Sequence, residues 1–173
     1  MDKPYVRSNG SSTRQIPSGT QLSEHEEIPS VAAIAGHPIH PMLIPFPIAS
    51  LSGALLSDIV HLLTDEPFWG QASFVLLGVG IASGLVAGIA GAVDYFGIEK
   101  VRSFAAARVH VIGNVTVLAL STINFLLRFN QTAEVPMPWG LVLSLVSGIL
   151  LVVTGWMGGE LSYRHKVGVN SKG

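Results

Sequence analysis

Four long apolar runs, separated by short polar stretches, follow a polar start to the chain. The runs cover residues 42–63, 72–93, 109–127 and 139–159. Each is close to the ~20 residues that a helix needs to cross a bilayer. This pattern predicts an all-α protein whose four transmembrane helices form an antiparallel bundle.

The polar start, residues 1–30, is rich in Ser, Thr, Gly, Pro and Glu and contains no apolar run. Such a segment cannot bury enough apolar surface to fold, and no secretory signal peptide is recognisable in it. We therefore predict a disordered tail over residues 1–30 and a four-helix membrane domain over residues 31–170. His25 lies in an acidic part of the tail, where we expect it to be solvated.

Composition supports membrane insertion and excludes several kinds of cofactor. Only 12% of the residues are charged, whereas a soluble domain typically carries about 25%. The mean hydropathy is +0.51. The chain has no cysteine, which excludes disulfides, cysteine-ligated iron–sulfur clusters and covalently attached c-type haem. A net charge of −1 provides no basic field for nucleic acid.

The basic residues are distributed unevenly between the two ends of the predicted bundle. If all four runs span, both tails and the loop 95–108 lie at one end, which then contains every Lys and Arg except Arg128. Because Lys and Arg favour the cytoplasmic side, both termini are predicted to be cytoplasmic.

Polar residues from four separate parts of the chain converge on that same cytoplasmic end. The box HPIHP at 37–41 precedes the first run, and other polar residues stand at the end of the second, the start of the third and the end of the fourth. Histidines and acids at the rim of a membrane bundle are costly unless something binds them, so this rim is the candidate functional site. Its members are His37, His40, Asp94, His110, Asn114, Glu160 and His165.

Each of these residues also has an ordinary structural interpretation. His40 could cap a helix, Asp94 could pair with an arginine of the next loop, and Glu160 could pair with Arg164. His165 lies in a basic tail, so we treat it as a secondary polar residue. The glycines of the second run favour close helix packing, and the alternative is that they make room for a flat cofactor such as a porphyrin.

Two further polar residues lie toward the opposite end of the bundle. Asp58 and His61 are three residues apart within the first run. An ionised carboxylate facing lipid costs ~2.5–3.5 kcal/mol or more, so Asp58 is predicted to face the interior and to contact a polar group. Its partner could be His61 or serines of neighbouring helices. A proton or quinone contact is the functional alternative.

The motifs together resemble a family of bacterial membrane proteins called domain of unknown function 2231. The resemblance rests on GHPIHP at 36–41, PFPI at 45–48, Asp58, Asp94, His110 with Asn114, GGEL at 158–161, Tyr163, His165 and VGV at 167–169. It covers about residues 31–170 and implies a protein of the bacterial inner membrane. Similar domains occur beside Rieske iron–sulfur or cytochrome c modules, which implies a redox setting. Because this chain contains no such module, a Rieske or cytochrome c partner would be a separate protein.

A b-type haem is the first functional hypothesis for the rim. Haem iron takes two imidazoles from facing helices, and His40 and His110 are predicted to stand at similar depth. His37 would lie beside this pair, and Asn114 could orient a ligand or a haem propionate. The protein would then carry electrons in a bacterial redox chain.

Two other hypotheses use the same residues differently. Imidazoles and carboxylates mixed together suit non-haem iron, zinc or manganese, which His37, His40, His110, Asp94 and Glu160 would bind. Alternatively, the chain binds no cofactor and acts as a scaffold subunit of a membrane complex, surrounded by lipid. No nucleophile–base pair, phosphate loop or nucleotide motif is recognisable, so only a redox activity remains open for an enzyme.

Overall fold

The computed structural model describes residues 27–130, 135 and 138–169. The helices are α1 (Ile39–Leu43), α2 (Pro45–Thr64), α3 (Pro67–Gly97), α4 (Glu99–Ser103), α5 (Ala105–Leu127) and α6 (Trp139–Gly159). A π-helical turn, Glu160–Arg164, continues α6, and a small antiparallel hairpin of β1 (Ala33–Ile34) and β2 (His37–Pro38) precedes α1. The predicted tail lies almost entirely outside the described residues, so its disorder stays a prediction.

Four helical stretches in the described part of the chain are long and apolar enough to cross a membrane. They are Ile39–Thr64, Pro67–Gly97, Ala105–Leu127 and Trp139–Arg164. The helices pack against one another, which confirms the predicted all-α bundle. The second and third spans begin earlier than their apolar runs. Prolines at the first helical positions, Pro45 and Pro67, begin α2 and α3, because a proline there sacrifices no helical hydrogen bond.

Two antiparallel hairpins, α2–α3 and α5–α6, make up the bundle. α2 contacts both α3 and α6, and α5 contacts the same two helices. α2 and α5 therefore face each other across a diagonal of the bundle and run in the same direction. Side chains from these two helices can meet on the bundle axis.

The centre of the bundle is packed with small and medium-sized side chains. Leu51, Ala54, Leu77 and Val117 form a buried apolar cluster, whereas large side chains such as Trp156 are exposed on the outer surface. This arrangement suits a lipid surrounding, where large apolar residues gain nothing from burial and close helix contacts rely on small residues. The cluster separates the two ends of the bundle, and each end contains its own group of polar residues.

Candidate functional site

His40 lies against α3 at the end of the bundle that contains the N-terminal segment. Its Nδ1 is 2.8 Å from the carbonyl oxygen of Ala87. One turn further along α3, Gly91 leaves space for the ring, since a Cβ atom at Gly91 would lie 2.9 Å from Nδ1 of His40. A carbonyl and a glycine four residues apart on α3 thus position this imidazole.

His110 is positioned by α6 in the same way. Its Nδ1 is 2.8 Å from the carbonyl oxygen of Thr154. A Cβ atom at Gly158 would lie 3.0 Å from Cε1 of His110. Asn114, which is one turn further along α5, donates to the carbonyl of His110 at 2.7 Å and accepts a hydrogen bond from Thr154 at 3.4 Å. Asn114 therefore supports the backbone and the anchor of His110.

The two imidazoles meet across the bundle. Their ring centroids are 5.9 Å apart and their planes are nearly perpendicular, at 87°. A carbonyl oxygen only accepts hydrogen bonds, so in each ring we assign the proton to Nδ1. In the neutral form of each ring, Nε2 is then the nitrogen with a free lone pair. A histidine whose Nδ1–H is held by a backbone carbonyl is the arrangement found in metal ligands, because the bond fixes both tautomer and orientation.

The other predicted rim residues have separate contacts. His37 is exposed, and its Nδ1 is 3.0 Å from the carbonyl oxygen of Ala35. Glu160 pairs with Arg164 at 3.2 Å. The ring of His165 stacks on Phe104, with centroids 4.1 Å apart. Within the described residues, no group of three or more His, Asp or Glu side chains is arranged to bind a metal ion.

Asp94 fastens the N-terminal segment to the end of α3. Its carboxylate accepts hydrogen bonds from the Ser30 hydroxyl at 2.7 and 2.9 Å and from the backbone N–H groups of Val31 and Ala32 at 2.8 and 2.9 Å. The carbonyl of Ala32 in turn accepts from the N–H of Ile39, at the start of α1. Asp94 thereby helps to position the segment that carries His40.

A second polar centre lies at the opposite end of the bundle. Arg128 donates to both carboxylate oxygens of Asp58, at 2.7 and 2.9 Å. It also donates to Ser73 at 2.8 Å and to Asn124 at 3.0 Å, while Ser144 donates to Asp58 at 2.5 Å. Asp58 is 1% exposed and Arg128 is 0% exposed. We call these five residues the Asp58–Arg128 network.

The two polar centres are separated by the same number of residues in both hairpins. Eighteen residues separate His40 from Asp58, and 18 separate His110 from Arg128. At 1.5 Å per residue this spacing is ~27 Å along a helix, close to the thickness of the hydrocarbon core. Each hairpin thus contributes one histidine at one end of the bundle and one charged residue at the other.

Comparison with known protein families identifies the family of this chain. A model described as "Predicted membrane protein (DUF2231)" matches residues 36–171. The chain belongs to this family. The matched region of this DUF2231 protein contains both polar centres. The description of the family names a membrane protein and gives no activity. Comparison with the curated proteins and with the solved structures found no match.

The structure of this DUF2231 protein adds Arg128, which the sequence did not mark as a candidate site residue. Asp58 faces the interior and contacts other helices, as predicted, but its main partner is Arg128 and not His61, whose Nδ1 lies near the carbonyl of Glu66 instead. The available signal for Arg128 was Asn124. It is a polar residue one turn earlier, in the apolar run that ends just before Arg128, and residues four apart share a helix face. That face is turned inward although Arg128 follows the last residue of α5.

Proposed function

We propose that this protein binds a b-type haem through His40 and His110 and transfers electrons in a bacterial membrane. The observation that carries the proposal is the matched pair of imidazoles, each anchored at Nδ1 by a backbone carbonyl of a neighbouring helix. Two imidazoles that shared one metal ion would have ring centres up to ~6 Å apart, since each metal–nitrogen bond is ~2 Å and each ring centre lies about 1 Å from its nitrogen. The observed separation of 5.9 Å fits that requirement.

The number of ligands favours haem over a non-haem ion. Zinc, manganese and non-haem iron normally take three or more ligands from the protein. His37, Asp94 and Glu160 have contacts of their own, as described above, which leaves two imidazoles. A porphyrin supplies the four remaining ligands itself, so two histidines complete its coordination.

The roles of the surrounding residues follow from their contacts. Bound haem supplies a one-electron redox couple, whose potential depends on the axial ligands and on the polarity around them. Gly91 leaves space for the ring of His40, and Gly158 leaves space for the ring of His110. Asn114 holds the backbone that carries His110. Electron transfer requires a redox partner, for which a separate Rieske or cytochrome c protein is our candidate.

Absorption and electron paramagnetic resonance spectra test the proposal directly. The full chain, purified in lipid nanodiscs from cells with ample haem, should show a Soret band that shifts on reduction. The ferric form should also give a low-spin electron paramagnetic resonance signal, as expected where two imidazoles would hold the iron. Bound zinc, manganese or non-haem iron without a Soret band would contradict haem binding, and a protein without metal or colour would favour the scaffold hypothesis.

We also propose that the histidine pair lies at the cytoplasmic face of the inner membrane. Among the described residues, every Lys and Arg except Arg128 lies at the end of the bundle that contains the N-terminal segment and the π-helical turn, and Arg128 is buried and paired with Asp58. A green fluorescent protein fused after Gly173 should therefore fluoresce, while alkaline phosphatase fused at the same position should be inactive. Active phosphatase would reverse the orientation without affecting the bundle.

A further inference from the structure

The interface between α5 and α6 contains two buried hydroxyl groups that the helices leave unsatisfied. Ser121 is 2% exposed and Ser147 is 4% exposed. Neither Oγ atom has a hydrogen-bond partner among the described residues. By contrast, Ser83, Thr116 and Thr122 donate to the carbonyl four residues earlier in their own helices. Ser121 and Ser147 therefore differ from the ordinary helical hydroxyls of this chain.

The register of the two helices places these hydroxyls at the same level. Asn114 contacts Thr154, and Asn124 contacts Ser144. Seven residues along α5 from Asn114 is Ser121, and seven residues back along α6 from Thr154 is Ser147. The antiparallel pairing thus sets the two serines opposite each other.

The Asp58–Arg128 network begins one helical turn away from the two serines. Asn124 follows Ser121 by three residues, and Ser144 precedes Ser147 by three, so each serine shares a helix face with a member of the network. On the other side, Val117 and the apolar cluster separate the serines from the histidine pair. A molecule between the serines would therefore lie one helical turn from Asn124 and Ser144, which contact Arg128 and Asp58, and on the other side of Val117 from the imidazoles.

We propose that Ser121 and Ser147 bind ordered water that extends the Asp58–Arg128 network into the interior of the bundle. Buried polar groups without protein partners are normally satisfied by water, and lipid chains offer no hydrogen bond. Water at this level would extend the run of hydrogen-bonding groups from Asn124 and Ser144 toward the middle of the bundle. The proposal does not depend on haem binding, because the site is on the far side of the apolar cluster.

Single cysteines provide a test with no background, since the chain has none of its own. Ser121→Cys and Ser147→Cys, each in the full chain in nanodiscs, carry an S–H group whose infrared band lies apart from other protein bands. On transfer to D₂O, both should lose this band completely, because water next to the thiol exchanges its proton. Val117→Cys, one turn away in the apolar cluster, should keep its band and also reports that the bundle remains closed.

Retention of the S–H band in both serine variants, as in Val117→Cys, would overturn the proposal. The hydroxyls would then bond to carbonyls of their own helices. If either cysteine variant does not fold, solid-state NMR on the unmodified protein provides the same decision. Magnetisation transferred from water should reach Ser121 and Ser147, and its absence at both residues would equally refute a bound water.

Discussion

Replacing Asp58 by leucine should lower the free energy of unfolding by about 3–5 kcal/mol. The change leaves the guanidinium of Arg128 buried at 0% exposure without its bidentate partner, and it also removes the acceptor of Ser144. An unpaired charge in the interior of a membrane bundle is far more costly than a lost surface ion pair. Unfolding by sodium dodecyl sulfate in mixed micelles, followed by helical circular dichroism, measures the difference.

Three companion variants separate charge from packing. Asp58→Asn keeps a hydrogen-bond acceptor and should cost less than Asp58→Leu. Combining Asp58→Leu with Arg128→Met removes both charges and should recover a large part of the lost stability. Asp65→Asn changes an exposed acid at the end of α2 and should have little effect. Equal losses for Asp58→Leu and Asp65→Asn would contradict the role of the buried pair.

Alanine at either His40 or His110 should abolish haem binding, if the proposed function is right. Each variant removes one of the two imidazoles that would hold the haem iron, and no third imidazole or carboxylate is grouped with them in the described part of the chain. The measurement is the ratio of the Soret absorbance to protein concentration in the purified full chain. His37→Ala is the matched control, because His37 belongs to the same HPIHP box but is exposed and contacts the carbonyl of Ala35.

A ligand exchange provides a second measurement on the same pair. His40→Met keeps a possible axial ligand and should raise the midpoint potential of the bound haem, since methionine with histidine gives higher potentials than two histidines. Unchanged spectra and potential in His40→Ala, His40→Met and His110→Ala would exclude these residues as ligands. Loss of the Soret band in His37→Ala alone would move the site to the exposed end of the box.

The spans and their order could be predicted from the sequence because hydropathy alone determines them. A run of about 20 apolar residues has few alternatives to a membrane helix. The ends of the helices were predicted less well, because Pro67 sets the start of α3 ahead of its apolar run, whatever the hydropathy of the first turn. The antiparallel topology was enough to place five polar residues at one end, because it requires only the number of membrane crossings before each residue. They are His37, His40, Asp94, His110 and Glu160.

The contacts within that end depended on the rotation and register of the helices, and the number of membrane crossings does not determine either. His40 and His110 come together because each rests against a glycine of a neighbouring helix, and those glycines are identified only once the helices are packed. Asp94 lies at the same end, yet it accepts hydrogen bonds from the N-terminal segment and does not join the imidazoles. Residues at one level of a bundle can thus have unrelated roles.

What the sequence by itself determined is the class of protein, its family, its four spans and the set of polar residues at each end. Those properties depend on composition and on spacing along the chain. Only the tertiary structure decided the pairings, His40 with His110 and Asp58 with Arg128, because each joins helices on opposite sides of the bundle, 70 residues apart in the chain. Such contacts depend on the rotation of each helix about its axis, and close packing of glycines, serines and the central apolar cluster sets that rotation.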